Sequence, residues 1–598
     1  MLKDLRFGWV KRLTPGGRVN HGKPPLRHPG AVNEEAGLGA VCAAPVILSS
    51  TQISPSSPLR CDVCIIGAGP VGISMALALA KAGLAVILAE AGDRKPDAAI
   101  QDAYAGRVVD EALHSPLTDY RERRLGGSGT VWGGRCIPLD PIDYEARDWI
   151  PHSGWPIGPE ALEPFYAAAT DLCEAGENTW RAADTLGPDA KPMIAGFTGK
   201  DWSTDRLERS SCPTDFAQRY AERLNASPDI RLLLRAPVTS INLDADGRRV
   251  ADISLRDAAG TPFSITAREV VVATGGLESA RLLLASRAVH PHGIGNHHDV
   301  LGRYYQAHLA GTIGTVIFDK GKTRIWHGYD RDAQGVYVRR RLSLNEAAQR
   351  EHRLGNVIAR LHHPRIADPA HGTAVLSALY LGQGLVPRLY RKRLAGEDMG
   401  GVGSWLRHVG NVARNPLACA GFAATMLVGR KFATRKFPSV IVTPRTGRYS
   451  IDFHAEQVPN PASRVYLDTR LDALDMPRLV ADWRYLPQDV ATLQGALALL
   501  ARDLAASGLG RFEYDPAMVE TEMIRYGAYP GHHIGTVRMG TDPARSMVDA
   551  DCRVHGVGGL SIAGTAVFPT SSQANPTLTA IALGLRLADH LARGIKGG

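Results

Sequence analysis

Residues 531–540 read GHHIGTVRMG, and residues 561–579 read SIAGTAVFPTSSQANPTLT. The first run puts a His pair, His532-His533, ahead of a Gly-Thr turn. The second puts Asn575-Pro576-Thr577 directly before an apolar helical pattern. If the two runs converge, an imidazole and an amide lie beside a helix N-terminus. That combination suits alcohol oxidation. A histidine near neutral pKa can take the hydroxyl proton while the carbon gives up hydride. A neutral amide can hold the oxygen by hydrogen bonding, and no metal is needed. Adjacent residues in extended chain face opposite ways, so one member of the His pair is structural. Asn575 alone also reads as a plain helix cap, and Pro576 suits a helix start. His297-His298 lacks a third ligand at usable spacing and reads as a solvated loop.

A second constellation lies near the start of the apolar sequence. CDVCII (61–66) reads as a buried strand, GAGPVG (67–72) as a turn, ISMALALAKAG (73–83) as a helix, and LAVILAE (84–90) as the next strand. Gly67 permits the tight turn, Gly69 lets backbone approach a pyrophosphate, and Gly72 lets helix and strand pack closely. The helix N-terminus then offers unpaired N–H groups to phosphate. Glu90 is placed to accept hydrogen bonds from a ribose, which disfavours a 2′-phosphate, so the ligand is FAD or NAD rather than NADP. ATGG (273–276) and Ala563-Gly564-Thr565 add two later small-residue turns. Early and late segments returning to one cofactor suit an extended ligand such as FAD.

These groups need a scaffold. Strand–turn–helix–strand at the start implies a parallel α/β unit. Residues 231–241, 251–257 and 269–276 read as strands, and 310–385 alternate weakly, as antiparallel sheet does. Residues 449–457 and 463–468 return to strand pattern, and 491–508 and 578–594 read as helices. The eight cysteines are scattered through 598 residues, which argues against a disulfide framework. Cys61 and Cys64 form a C-x-x-C, but in a strand their side chains face opposite ways.

The formal charge of +9 raises polyanion or membrane partners. It divides unevenly. Residues 1–45 carry seven basic and three acidic residues, and 388–436 carry ten and two, leaving the rest slightly acidic. Basicity thus belongs to one tail and one surface segment, without the aromatic-interleaved groove that nucleic acid needs. Residues 1–45 read as disordered or loosely attached, with a native start near Val46 as one hypothesis. No stretch of about 18 apolar residues is uninterrupted, so no spanning helix is expected. In 388–436, Trp405, Leu406, Val409 and Val412 have helical spacing. The plain expectation is a helix packed through that face; the sharper one is docking to a membrane surface or redox partner.

Five motifs in order resemble the glucose–methanol–choline (GMC) oxidoreductases, over about residues 58–595. They are GAGPVG with Glu90, RRLGGSGTVWGG (123–134), REVVVATGGLESARLLL (268–284), HHIGTVRMG and GLSIAGTAVFPTSSQANPTLTAIALGLRLADHL. The resemblance implies FAD and oxidation of CH–OH groups. It makes His532 the catalytic base, with Gly535 and Thr536 completing its H-x-x-G-T pattern, and Asn575 the second catalytic residue. Gly127, Gly129 and Thr130 fall in the loop along the flavin. Val238 matches an adenine-contacting position. Ala273, Gly564, Asn575, Pro576 and Thr577 complete the expected cofactor contacts. ANPTLTA most resembles the pyranose oxidase-like branch, which implies a sugar or glycoside secondary hydroxyl as substrate. Val131 stands where some pyranose oxidases carry a flavin-linking histidine, so noncovalent FAD is expected.

The implied fold class is α/β, α+β overall: a Rossmann-like FAD domain plus a substrate domain with a large, mostly antiparallel sheet. The expected boundaries are an extension at 1–57, an FAD domain from 58–150, 225–305 and 525–598, and a substrate domain from 151–224 and 306–524. The acceptor would be oxygen, a quinone or a redox protein, and the location cytoplasmic, with a periplasmic or membrane-peripheral one as alternatives. The alternatives are a sterol or other non-sugar alcohol oxidase, an NAD(P)H-driven flavin hydroxylase and, last, a noncatalytic polyanion binder.

Overall fold

The computed structural model of the protein describes residues 47–49, 58–319, 321–383, 401–439, 441–444, 446–528 and 531–597. Its largest sheet has eight strands. Ile47–Ser49, Ile230–Leu234, Val86–Ala89, Leu59–Ile66 and Pro262–Val272 run parallel in that spatial order, with Leu560–Ile562 also on Pro262–Val272. Val250–Arg256 and Val238–Leu243 extend the sheet as antiparallel neighbours. Its central strands end in fully buried runs, such as Cys64, Ile65 and Val270–Val272, as expected where a sheet is covered on both faces.

Helix Pro70–Lys81 starts at Gly69, with Pro70 in its first turn, and packs on this sheet. A Cβ on Gly72 would come within 2.0 Å of the Gly67 carbonyl oxygen, so only glycine allows this approach. The expected roles of Gly67 in the turn (φ +102°) and of Gly72 in packing follow from that geometry. The last helix, Thr577–Gly597, lies against Pro70–Lys81, where a Cβ on Gly584 would meet Val71 at 2.8 Å.

The other half is antiparallel. Gly510–Glu513, Leu309–Phe318, Arg448–Ala455, Val357–His362, Leu342–Leu344 and Trp202–Ser203 form a six-stranded sheet. Asp330–Arg331, Tyr337–Arg340, Leu207–Ser210 and Arg135–Cys136 form a four-stranded one. A third joins Arg464–Leu471, Pro477–Asp482 and Arg107–Val108. Through Arg107–Val108 and Arg135–Cys136, chain from the first expected segment pairs directly with chain of the expected substrate domain.

Two expectations change. Residues 1–57 were expected as one loose extension, yet Ile47–Ser49 forms an edge strand parallel to Leu232–Leu234. Edge pairing is a tertiary event, and three residues carry no periodic signal of it. The remainder of that extension, including 1–45, lies outside the described residues. The second change concerns the basic segment, of which 388–400 lies outside the described residues. Val402–Arg414 is a helix, but its buried residues are Ser404, His408 and Asn411. Trp405 and Leu406 point outward, and Val409 and Val412 are half-buried. The expected packing through the apolar face is reversed. His408 bonds Ser377 Oγ and the Ala367 carbonyl, and Asn411 donates to the Pro369 carbonyl and Ser377. Specific polar bonds, rather than burial of the apolar stripe, hold this helix.

Cys61 and Cys64 are free thiols within the strand Leu59–Ile66, and His297-His298 is exposed. Among the described residues no helix is long and apolar enough to cross a membrane.

Candidate active site

A cavity of about 740 Å³ runs from the parallel sheet to the antiparallel one. Gly67, Gly69, Glu90, Gly127, Gly129, Val238 and Ala273 line it, as do Gly564, Thr577 and the pair His532 and Asn575. Gly72, Thr130 and Pro576 lie outside the lining. Gly72 supports the turn, Thr130 Oγ1 donates to the Gly127 carbonyl, and the Pro576 carbonyl accepts from Ala580 N–H in the last helix.

His532 and Asn575 meet. Asn575 Nδ2 is 3.2 Å from His532 Nε2. His532 Nδ1 is 2.7 Å from His308 Nδ1, and His308 Nε2 is 3.1 Å from the Ser571 carbonyl. A carbonyl can only accept, so His308 Nε2 carries a hydrogen and its Nδ1 a lone pair. His532 Nδ1 must then donate, which leaves the His532 Nε2 lone pair facing Asn575. This is the tautomer a base needs.

Both segments are held tightly. Ile534 exchanges backbone bonds with Gln306, which fixes His532 beside His308. Gly535 has φ +85°, and a Cβ there would lie 2.5 Å from the Tyr304 carbonyl. Thr536 Oγ1 donates to the Gly276 carbonyl. Residues 570–575 rest on a buried polar network. Trp155 Nε1 donates to Thr570, Ser572 to Asp143, Gln573 Nε2 to Asp140 and Arg341 to Gln573 Oε1. His454 Nδ1 donates to the Gln573 carbonyl. Burial, then the neighbouring Asp140 charge, pushes the Asp143 carboxyl up to about 7.

Burial is also the main cause that lowers the pKa of His532, with the His308, His533 and Arg135 charges adding to it. His454 is lowered for the same leading reason. His308 is lowered to about 4 and His327 to about 3, both mainly by burial. The sign of the linkage follows. These histidines stay neutral when folded but take protons when unfolded near pH 6.5, so acid favours the unfolded chain. Stability is complete above about pH 6.5 and falls as the pH drops toward 4. Each such histidine should cost on the order of 2 kcal/mol by pH 5. Thermal melts at pH 7 and pH 5 test this; an unchanged midpoint contradicts it.

Three features of the cavity fit FAD. A Cβ on Gly69, Gly275 or Gly564 would meet nothing within 4 Å; all three line the cavity, so their bareness keeps that space clear for a ligand. Helix Pro70–Lys81 has no side-chain cap, so its first N–H groups are open to a phosphate. Nε2 of His533, another lining residue, is buried without a hydrogen-bond partner. His533 Nδ1 bonds Tyr305 Oη at 2.6 Å, and Tyr305 bonds His114 Nε2 at 2.7 Å. His114 Nδ1 is spent on the Ser115 carbonyl. The chain of donors leaves a lone pair on His533 Nε2, an acceptor for a cofactor N–H or hydroxyl. Glu90 lines the cavity while its two oxygens accept from Ala68 N–H and Gly92 N–H, each at 2.9 Å. It therefore shapes the turn through both oxygens.

Several residues in and around the cavity were not among the expected site residues. Arg121, Arg123 and Arg281 surround Glu278 and hold its carboxyl at about 2 against the opposing effect of burial, its largest single influence. Arg121 also stacks on Tyr104 at 3.9 Å. His308 directly precedes the strand Leu309–Phe318 and His454 lies in Arg448–Ala455, and their meeting with His532 is tertiary. The three imidazoles have ring nitrogens within 4.8 Å of one another. Two nitrogens bound to one zinc ion lie about 3.4 Å apart, whereas His308 and His532 are at 2.7 Å. That is hydrogen-bond distance, and the trio reads as a proton-positioning relay.

Residues 459–584 match the GMC oxidoreductase family, and residues 62–310 match the FAD dependent oxidoreductase family. The chain belongs to the GMC oxidoreductases. It is an FAD-dependent enzyme that oxidises alcohol groups of a small molecule. Among curated relatives, this GMC oxidoreductase is 24% identical to 6'''-hydroxyparomomycin C oxidase of Streptomyces lividus, over 89% of this chain and 92% of the relative. It is also 24% identical to the fructose dehydrogenase large subunit of Gluconobacter japonicus, over 90% and 99%. Among solved structures it is similar in fold to pyridoxine 4-oxidase from Mesorbium loti, with a TM-score of 0.50 and 17% identity over 89% of this chain and 99% of that one.

Proposed function

We propose that this GMC oxidoreductase oxidises a secondary hydroxyl of a sugar or glycoside to a carbonyl. The observation that carries the reading is the pairing of His532 Nε2 and Asn575 Nδ2 at one side of a chamber whose far wall is polar. That wall takes Arg135, Arg339, His362 and Asp452 from strands of the antiparallel sheets. A wall of charged and polar groups suits a hydroxyl-rich substrate better than the apolar skeleton of a sterol. The two curated relatives named above are, by name, a 6'''-hydroxyparomomycin C oxidase and a fructose dehydrogenase large subunit, which supports the same substrate class.

The bound FAD would supply a hydride acceptor, held by the glycine turns around Gly69, Gly127 and Gly564 and by the N-terminus of helix Pro70–Lys81. His532 accepts the hydroxyl proton at Nε2 as the C–H bond breaks. The Asn575 amide donates to the substrate oxygen and holds it in line. His308 keeps His532 in the receptive tautomer. Electrons then leave to oxygen, a quinone or a redox protein.

The flavin is held noncovalently, since Val131 in the flavin loop cannot form a bond to it. Acid-denatured protein should release all its yellow colour to the supernatant; colour kept by the precipitate contradicts this. For substrate, anaerobic bleaching of the bound flavin by sugars and glycosides, and not by cholesterol, is expected. Bleaching by NADH alone would instead favour a hydroxylase.

A further inference from the structure

Helix Val402–Arg414 shows its apolar residues to solvent and buries its polar ones. Val402 is 75% exposed, and Trp405 and Leu406 are each more than half or about half exposed. The next helix, Pro416–Met426, is apolar on every side and buries only Ala418. Leu417 is 74% exposed, and the following turns add Leu427, Val428 and Phe432, the last 70% exposed. Most of the large exposed hydrophobic side chains among the described residues thus fall in one stretch of about thirty residues. A helix apolar all round ordinarily lies in a protein core or in lipid.

Charge decides between possible occupants. Residues 401–439 contain Arg407, Arg414, Arg430, Lys431, Arg435 and Lys436 and no Asp or Glu. Arg435 is spent on the Glu174 and Ser210 carbonyls; Arg407, Arg414, Arg430, Lys431 and Lys436 are exposed beside the apolar surface. A second copy of this chain would bring the same positive surface against it, which repels. Apolar side chains rimmed by Lys and Arg match the acyl and headgroup layers of an anionic leaflet.

We propose that the two helices Val402–Arg414 and Pro416–Met426 dock this enzyme on an anionic lipid bilayer. Trp405, Leu417 and Phe432 enter the interface while the basic residues meet the headgroups. The same segment supplies Arg430, Pro438 and Ser439 to the cavity wall, so docking sets the substrate chamber beside the membrane. This inference does not depend on which alcohol is oxidised.

The test uses the full-length holoenzyme and vesicles of phosphatidylcholine alone or mixed equally with phosphatidylglycerol. The enzyme should float with the mixed vesicles and much less with phosphatidylcholine alone, and high salt should weaken binding. The variant Leu417→Glu/Phe432→Glu should lose at least about tenfold in vesicle affinity. It should still bind FAD and be reduced by soluble substrate at the parent rate. Brominated lipid should quench Trp emission in the parent and much less in Trp405→Phe. Three results would each overturn the proposal. They are failure to float with the mixed vesicles, flotation that survives Leu417→Glu/Phe432→Glu, and a stable dimer in solution that this variant dissociates.

Discussion

His532→Ala should lower the rate of flavin reduction by about 10³–10⁴-fold while leaving FAD bound. The base is lost, but little else. His532 leaves the cofactor cradle intact because the chain around it is fixed by other groups: the Ile534–Gln306 backbone bonds, the Thr536 hydroxyl and Gly535. Added imidazole should restore part of the rate, since the space vacated beside Asn575 matches its size. Stopped-flow mixing without oxygen reads the reductive step directly. A parent-like rate in His532→Ala would remove His532 from the mechanism.

The second large effect is expected one residue further out. His308→Leu removes the acceptor of the His532 Nδ1 hydrogen, 2.7 Å away. A buried N–H without a partner is costly, so the imidazole is driven to the other tautomer, with its hydrogen on Nε2. That form cannot accept the substrate proton. The expected loss is about 10²–10⁴ in the reduction rate with little change in substrate affinity, the pattern of a base held in the wrong tautomer. His308→Gln supplies a carbonyl oxygen at that place and should recover much of the rate, which a merely structural role would not give. The pH profile should report the same relay. With burial lowering His532, the parent rate should stay flat across the ordinary histidine range and fall only at more acid pH. Equal losses in His308→Leu and His308→Gln would contradict the relay.

Much of this site was legible from residue order alone. GAGPVG between a strand and a helix places the cofactor turn, because each glycine answers a local steric demand. His532 and Asn575 stood out in the H-x-x-G-T and Asn-Pro-Thr runs, but it was the resemblance to the GMC oxidoreductases that set them apart from a surface histidine and a plain helix cap. Glu90 shows the limit of that reading. Its spacing marks the ribose end, but its grip on Ala68 and Gly92 appears only once the turn is folded. His308 was not legible at all. Nothing in the run Gln306-Ala307-His308 distinguishes it from any strand entry, and its role rests on a contact with a residue more than two hundred positions away. The helix Val402–Arg414 was legible as a helix and misleading as to its face. Hydrophobic spacing tells which residues share a side, but four polar bonds of His408 and Asn411, with Ser377, Ala367 and Pro369, turned that side outward.

Asp140 and Asp143 belong to the same lesson. Two buried carboxylates near a catalytic pair could be taken for acid–base groups, yet Asp140 is matched by Arg206, Asn356 and Gln573, and Asp143 by Ser572 and Asn356. Their work is to hold the segment that presents Asn575.

The central claim is that His532, set by His308 and paired with Asn575, takes a proton from a sugar-class alcohol as the flavin is reduced. Anaerobic bleaching of the bound flavin across sugars, glycosides, sterols and simple alcohols tests it most directly, run in parallel on the parent and His532→Ala. The account predicts fast bleaching by at least one sugar or glycoside in the parent and almost none in the variant, at equal FAD content. Bleaching only by a reduced nicotinamide, or equal bleaching in both proteins, would contradict it.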